Sequence, residues 1–363
     1  MADFNLTKMA VDLYCPGNVV QQDEVGLPSI LVWIPAFKNS DVLTGGDDSI
    51  HPAFIVNDRQ IPGFYYSKYE NVIYNGKAYS LPAEDPKVSI SFNDALECCE
   101  AKGYGWHLNT AAEWAAIALW CKKNGFLPYG NNNYGRDGRE DEKTAIVSYM
   151  DGKTIARVAT GTGPLTWSHD GTPSGIWDLN GNVWEWQGGL RVVWGELQIL
   201  ANNDAADPDN PQNETSTCWK AINATDGSLV DPECTVAGPA VLAGSTVRLD
   251  FVDSVWTYTT SITNGADKIN KCAFGKITCT SSISNSAKVL LRSLALLPDE
   301  GANEGDYEGD WVTCNNGAEE IRMYRGGCRS TGTNAGVFSF CAEETATTED
   351  DFTGFRSVYI PNI

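Results

Sequence analysis

The chain has 363 residues, 42% of them hydrophobic, and a formal net charge of −21 from 26 Lys and Arg against 47 Asp and Glu. That length can bury a sizeable core and hold more than one structural unit. The acidic balance excludes the basic stripe that a nucleic-acid partner needs and disfavours adsorption to anionic membranes.

Residues 1–50 are mixed and punctuated by Gly and Pro, and read as an N-terminal extension in which Leu31 to Pro35 forms a strand. The opening lacks the basic start, apolar stretch and small-residue cleavage site of a secretion signal, so synthesis in a cytoplasm is the expectation. No apolar run approaches the length of a membrane span, so no membrane insertion is expected. The aromatic run Phe64 to Glu70 predicts a strand. Ser91 then opens a helix, with Asp94 three residues on and Phe92, Ala95, Leu96 and Cys99 at the spacing of one buried face. Gly103 stops it. Thr110 opens a second helix, with Glu113 closing a capping box and Trp114, Ile117, Ala118 and Cys121 facing inward. Gly125 ends that one.

Residues 125–175 are loop-rich. The turn dipeptide Asn180-Gly181 lies between apolar, aromatic runs and predicts strand–turn–strand over 175–186. Between about 190 and 310 the composition shifts to Thr, Ser, Asn and Val, and Thr246 to Phe251 alternates with the strand period. This stretch reads as a β-rich insertion with long loops, closed by the acidic loop 299–310, a solvated segment by the plainer reading. Strand character returns before Gly327, over Gly336 to Phe340, and over Gly354 to Ile360.

The 11 cysteines are odd in number, so at least one is unpaired, and no CxxC pair marks a zinc knuckle. Cys99 and Cys121 lie on apolar helix faces. Cys218, Cys234, Cys272, Cys279 and Cys314 are available for disulfides whose connectivity the sequence leaves open.

Three blocks, in this order, resemble the formylglycine-generating-enzyme branch of the C-type-lectin fold. They are Gly105-Trp106-His107-Leu108-Asn109-Thr110-Ala111-Ala112-Glu113-Trp114, then Asp178-Leu179-Asn180-Gly181-Asn182-Val183-Trp184-Glu185-Trp186, then Arg325-Gly326-Gly327 with Gly354-Phe355-Arg356. The resemblance implies an α+β, C-type-lectin-type fold with two helices, short antiparallel strands and many loops. The ligand-binding domain would comprise 51–189 and 311–363, interrupted by the β-rich insertion 190–310.

Within that branch the C-terminus is similar to the variable proteins of diversity-generating retroelements. Their pattern is RGG, a variable stretch, a framework strand (here Asn334 to Phe338), further variable positions, then GFR. The resemblance implies a hypervariable binding protein, either a phage receptor-binding component or a surface-displayed protein of the bacterial host, and not an enzyme. A reverse transcriptase would act on the gene, rewriting template adenines. The implied ligand-binding positions are Cys328, Arg329, Ser330, Thr331, Thr333, Ser339, Cys341, Glu343, Glu344, Thr348, Asp350, Asp351 and Phe352. Most are reachable from an AAC codon; Glu343 and Glu344 are not and require other template codons.

The residues themselves support the same segment. Its Gly, Ala, Val and Phe positions set turns and fill a core, and the positions between them are chemically unrelated. Glu343, Glu344, Glu349, Asp350 and Asp351 oppose the single base Arg329. The resemblance implies a protein or glycan target on a cell or virus surface, and the acids predict that it carries a basic patch held by salt-sensitive contacts. Phe352 and Arg329 are the expected anchors.

Two other classes remain in view. The generating enzyme oxidises a substrate cysteine with two closely spaced, copper-binding cysteines after the GG turn. Here Cys328 and Cys341 stand too far apart to match that pattern. Iron-dependent relatives need a cluster of histidines, and His51, His107 and His169 occupy unrelated contexts. A fixed viral or cell-surface structural protein would instead pack its C-terminus invariantly. No cofactor is expected beyond a structural Ca²⁺, for which Asn182 and Glu185 are the oxygen donors the resemblance implies. The plainer reading has Asn182 fixing a turn and Glu185 paired internally. Trp177, Trp184 and Trp186 are either a sugar-stacking platform or, as the plainer reading has it, core. Cys328 and Cys341 are either surface thiols or a disulfide.

Overall fold

The structure, a computed structural model, describes residues 2–361 and 363. Two large sheets, three two-stranded hairpins and the helices packed on them build it. The first sheet has the strand order Val19–Gln22, Pro28–Pro35, Gly63–Ser67, Ser357–Tyr359, Trp106–Leu108. The closing strand Ser357–Tyr359 sits between two strands from the first third of the chain, with Val358 opposite both Tyr66 and His107. Pro28–Pro35 pairs along its length with Gly63–Ser67. The stretch read as an N-terminal extension thus contributes a core strand. It also contains a helix the sequence reading lacks, Ala2–Tyr14, whose Leu6, Met9 and Leu13 are exposed.

The second sheet carries the candidate site. Its order is Asn270–Ala273, Trp311–Cys314, Gly336–Glu344, Ile321–Gly326, Trp184–Val193, Glu196–Ile199, Ala243–Val252, Val255–Ser261, Thr278–Cys279. Trp184–Val193 runs through the boundary drawn at 189/190 and turns directly into Glu196–Ile199. Residues 190–310 accordingly extend the sheet of the flanking segments. Their Val247, Leu249, Trp256 and Tyr258 share one apolar core with Trp114 and Ile117. They also include a helix, Asn285–Ser293, capped by the Ser284 hydroxyl, which accepts the Ala287 N–H.

Both helices read from the sequence are present. Phe92–Glu100 starts after Ser91, whose Oγ accepts the Asp94 N–H. Ala111–Lys123 carries the complete capping box. The Thr110 hydroxyl accepts the Glu113 N–H at 3.1 Å, and the Glu113 carboxylate accepts the Thr110 N–H at 3.0 Å. Its run of alanines lets both sheets approach closely, so nearly every turn is buried. The strand–turn–strand expected over 175–186 is absent. Only Trp184–Val193 is a strand, and Trp177 makes an isolated bridge to Ser168.

Candidate binding surface and its clamp

The site begins with a buried polar clamp. Arg356 is fully buried, and its Nε donates to both Glu185 oxygens, at 2.9 and 2.8 Å. Its Nη2 donates to the Trp177 carbonyl at 2.6 Å and its Nη1 to that of Lys68 at 3.1 Å. Nearby, Asn182 donates to Glu70 at 2.6 Å and accepts from Asn131 and from the Val158 N–H. Gly181, at φ +78°, lies so close to the Asn131 carbonyl that a Cβ would approach within 2.3 Å. Only glycine fits there.

Three buried carboxyls, Glu70, Asp178 and Glu185, surround this one guanidinium. Burial pushes Glu185 up to about 7 and Asp178 up to about 6, against the pull of Arg356. The Ca²⁺ role expected of Asn182 and Glu185 does not fit this geometry. Both carboxylate oxygens of Glu185 face Arg356, and the Asn182 oxygen already accepts two donors. Among the described residues, no group of three or more His, Cys, Asp and Glu side chains gathers as a metal site.

The segment between RGG and GFR leaves and rejoins the scaffold on either side of one residue pair. Ile321–Gly326 runs antiparallel to Trp184–Val193 with Arg325 opposite Glu185. Thr353–Gly354 runs parallel on the other flank, with Thr353 opposite Trp184 and Gly354 opposite Glu185. The departure is rigid. The Arg325 guanidinium is buried and donates to the carbonyls of Leu294 and Ala295. Gly326 and Gly327 follow at φ +95° and +91°, and a Cβ on Gly327 would meet that of Ala335 at 2.4 Å.

Between these anchors the chain forms a turn, a strand and a second turn. Cys328 to Thr331 is a tight turn in which the Cys328 N–H donates to the Thr331 hydroxyl. Arg329, Ser330, Thr331 and Thr333 lie at or near the surface. Ser339 and Cys341 lie inside the strand Gly336–Glu344 and are buried, as is Cys328. These three cannot present side chains to a ligand. Ser339 instead donates to the Asn334 carbonyl, and Cys341 packs with Trp186, Tyr324 and Phe355. Both alternatives for Cys328 and Cys341 are therefore corrected. They are buried free thiols, neither surface groups nor a disulfide. Burial holds the Cys341 thiol well above the usual range, so it is no ready nucleophile.

Glu343, Glu344, Thr348, Asp350 and Phe352 are half-buried, and Asp351 is exposed. Asp350 is partly structural, accepting the Phe352 N–H and the Thr353 hydroxyl. Arg329 pairs with Asp351 at 2.9 Å, tying the first turn to the last. Trp177 and Trp186 are core; Trp184 is half-buried against Tyr324.

The sequence reading missed the neighbours of Arg329. The hairpin Val147–Asp151 and Thr154–Val158, joined through Gly152, places Lys153 and Thr154 beside Arg329, Ser330 and Tyr134 around a cavity of about 500 Å³. The Asp151-Gly152 turn was the available signal.

Asp310 braces the framework strand from below. It is buried, and its Oδ2 accepts the Phe338 N–H at 2.7 Å. Burial pushes its carboxyl up to about 7, against the pull of that N–H and of Arg139, with Glu308 adding to the rise. A folded-state value above the unfolded one favours the protonated form, so this contribution is complete below the unfolded value and is lost as pH rises through about 7. Asp310→Asn, which mimics the neutral acid, should flatten the fall in Tm between pH 5 and 8. Parallel melts of both proteins measure this, and the unchanged Glu185 and Asp178 cancel in the difference.

Comparison with known proteins agrees with this architecture. Residues 58–195 match the family model described as the sulfatase-modifying factor enzyme 1-like domain. That segment ends before Arg325, so it contains the clamp's Glu185 and Asn182 but none of the implied variable positions. The chain as a whole has an α+β fold, and its similarity to that formylglycine-generating-enzyme-like domain extends over residues 58–195.

Solved structures similar to it include Treponema denticola variable protein 1, at 10% identity and TM-score 0.31, covering 95% of this chain and 100% of that one. PvdO from Pseudomonas aeruginosa is 12% identical with TM-score 0.32, over 94% and 97% of the two chains. The Major Tropism Determinant P3c variant is 10% identical with TM-score 0.30, over 91% of this chain and 62% of that one. No curated protein matches.

Proposed function

We propose that this chain is a target-binding protein, diversified by a retroelement and not catalytic, that meets its target through the outward residues of 328–352. One observation carries the reading. The excursion is pinned on both sides of Trp184 and Glu185 by buried groups, while Arg329, Ser330, Thr331, Thr333, Glu343, Glu344, Thr348, Asp351 and Phe352 lie outside that clamp. Side chains can change there without loosening what positions them, which is the physical requirement of a variable binding surface. The target is a surface protein or glycan with a basic patch. Arg329 is already matched by Asp351, so the remaining acids set the sign of the field.

Sequencing this locus across a natural population tests the proposal. Changes should cluster at adenine-derived codons for these outward positions, beside a near-copy repeat and a reverse-transcriptase gene. They should spare Arg325, Gly326, Gly327, Ser339 and Arg356. A segment as constant as the rest of the chain would sink the reading.

A further inference from the structure

A cavity of about 510 Å³ opens between the strand Pro28–Pro35 and the end of the helix Ala111–Lys123, and no residue of 328–352 lines it. That is the size of a small-molecule site. The helix end supplies Ile117, Trp120 and Asn124, which fall on one face at spacings of three and four. Trp33 and Phe37 add aromatic wall, and both are half-buried, as is Trp120. Phe37 is braced by Phe54, at 4.9 Å between ring centroids, and Trp33 by Tyr65, at 4.6 Å. The wall is therefore held in place without a ligand, which lowers the cost of binding one.

A buried polar side chain at this wall lacks a partner. His169 is 6% exposed, with its ring centroid 5.2 Å from that of Trp120. Its backbone N–H donates to the Ile176 carbonyl and its Nδ1 accepts the Ile176 N–H, each at 2.8 Å. A ring nitrogen that accepts carries no proton, so the hydrogen-bond network places the proton on Nε2. Burial keeps the imidazole neutral, lowering its pKa to about 4 against the pull of Asp170. The Nε2–H makes no hydrogen bond among the described residues, and the ring lines the cavity. Asp170 lines it too. Its Oδ1 accepts from the Ser168 hydroxyl and from the Thr172 N–H and hydroxyl, and its Oδ2 accepts from no donor among the described residues.

This chemistry selects a ligand class. A cation would meet the Nε2 proton and the Lys123 ammonium, which also lines the cavity. An anion would meet Asp41 and Asp170. A purely apolar molecule would leave His169 Nε2 and Asp170 Oδ2 unanswered. A hydroxyl accepts and donates through one oxygen and answers both. The polarised C–H groups of a sugar ring suit the negative face of an indole. We propose that this cavity is a metal-independent site for an uncharged saccharide, which packs a C–H face on Trp120 and bridges His169 Nε2 and Asp170 Oδ2 through a hydroxyl. The site stands apart from the variable surface and holds whether or not 328–352 varies.

An array of neutral mono- and oligosaccharides, probed with the full chain in EDTA, tests this. At least one neutral glycan should bind, and calorimetry then measures its affinity in solution. Asp170→Asn keeps an acceptor for the Oδ1 contacts and turns the free acceptor into a donor, so it should weaken binding about tenfold. Trp120→Ala should abolish binding. Trp120 also packs against the core, so Asp170→Asn decides the case if Trp120→Ala does not fold. The remote change Glu142→Gln should alter binding less than about twofold. Absence of any bound neutral glycan in EDTA would overturn the proposal. So would binding that requires added Ca²⁺, or binding that survives undiminished in either folded variant.

Discussion

Arg356→Ala is expected to leave little folded protein. Removing the guanidinium strands the Glu185 carboxylate, which is 1% exposed, and takes the Arg356 donor from the Trp177 carbonyl, while the Lys68 carbonyl keeps the Trp177 N–H. Breaking a buried ion pair from one side costs about 3–5 kcal/mol. Domains hold only about 5–15 kcal/mol in total, so this is a large share. Arg356→Lys should rescue poorly, because one ammonium cannot reach a carboxylate and separate carbonyls in the geometry of a planar fork. Arg356→Met combined with Glu185→Leu should recover part of the loss, since an apolar pair leaves no uncompensated charge. Urea denaturation of the three variants measures the order. A single alanine variant as stable as the parent would mean that the clamp is not what holds the GFR end.

Trp114→Ala is the second large effect. The indole is 1% exposed, and its Nε1 donates to the Val337 carbonyl at 2.8 Å. Its ring also backs the Gly326 turn, where an added Cβ would lie 3.3 Å from it. Truncating a buried Trp costs about 3–5 kcal/mol. Trp114→Phe keeps most of the packing but orphans the carbonyl, at about 1–3 kcal/mol. Both variants should speed amide exchange over 336–340 more than over the strand Gly63–Ser67. Uniform exchange changes would refute a specific link from the helix to the framework strand.

Much of the fold was readable where the determining contacts are local. The Ser91 and Thr110 caps, the apolar spacing through Cys99 and Cys121, and the closing strand all follow from short-range pattern. Asn180-Gly181 misled for the opposite reason. A hairpin fits those two residues alone, but Asn180 donates to the Pro128 carbonyl and Gly181 to that of Gly326, so distant chain decides the path. The alternation in Thr246 to Phe251 disclosed a strand but not its neighbour. Glu196 pairs with Arg248 of that strand, Glu196–Ile199 pairs with Trp184–Val193, and Asn270–Ala273 pairs with Trp311–Cys314, so residues 190–310 join the main sheet at both ends. At the site, the turn residues that chemical variety singled out, Arg329, Ser330, Thr331 and Thr333, lie at or near the surface. Cys328, Ser339 and Cys341 are instead buried, and for the last two the cause lies on neighbouring strands, where the Trp311 N–H donates to Ser339 and Tyr324 packs on Cys341.

The pinning of both ends to one residue pair also bears on chain length. Strands on either side of Trp184–Val193 stand roughly 10 Å apart, twice the interstrand spacing. Closing a loop over so short a gap depends only weakly on its length, at about 0.6 kcal/mol per doubling. Insertions at 329–333 or 345–349 therefore lengthen turns without moving Arg325 or Thr353. Within 336–344 a single added residue would reverse the faces of the strand and drive Cys341 toward water. Length changes should therefore be tolerated in the exposed turn 345–349 better than in the strand between the turns, whose length sets which faces are buried.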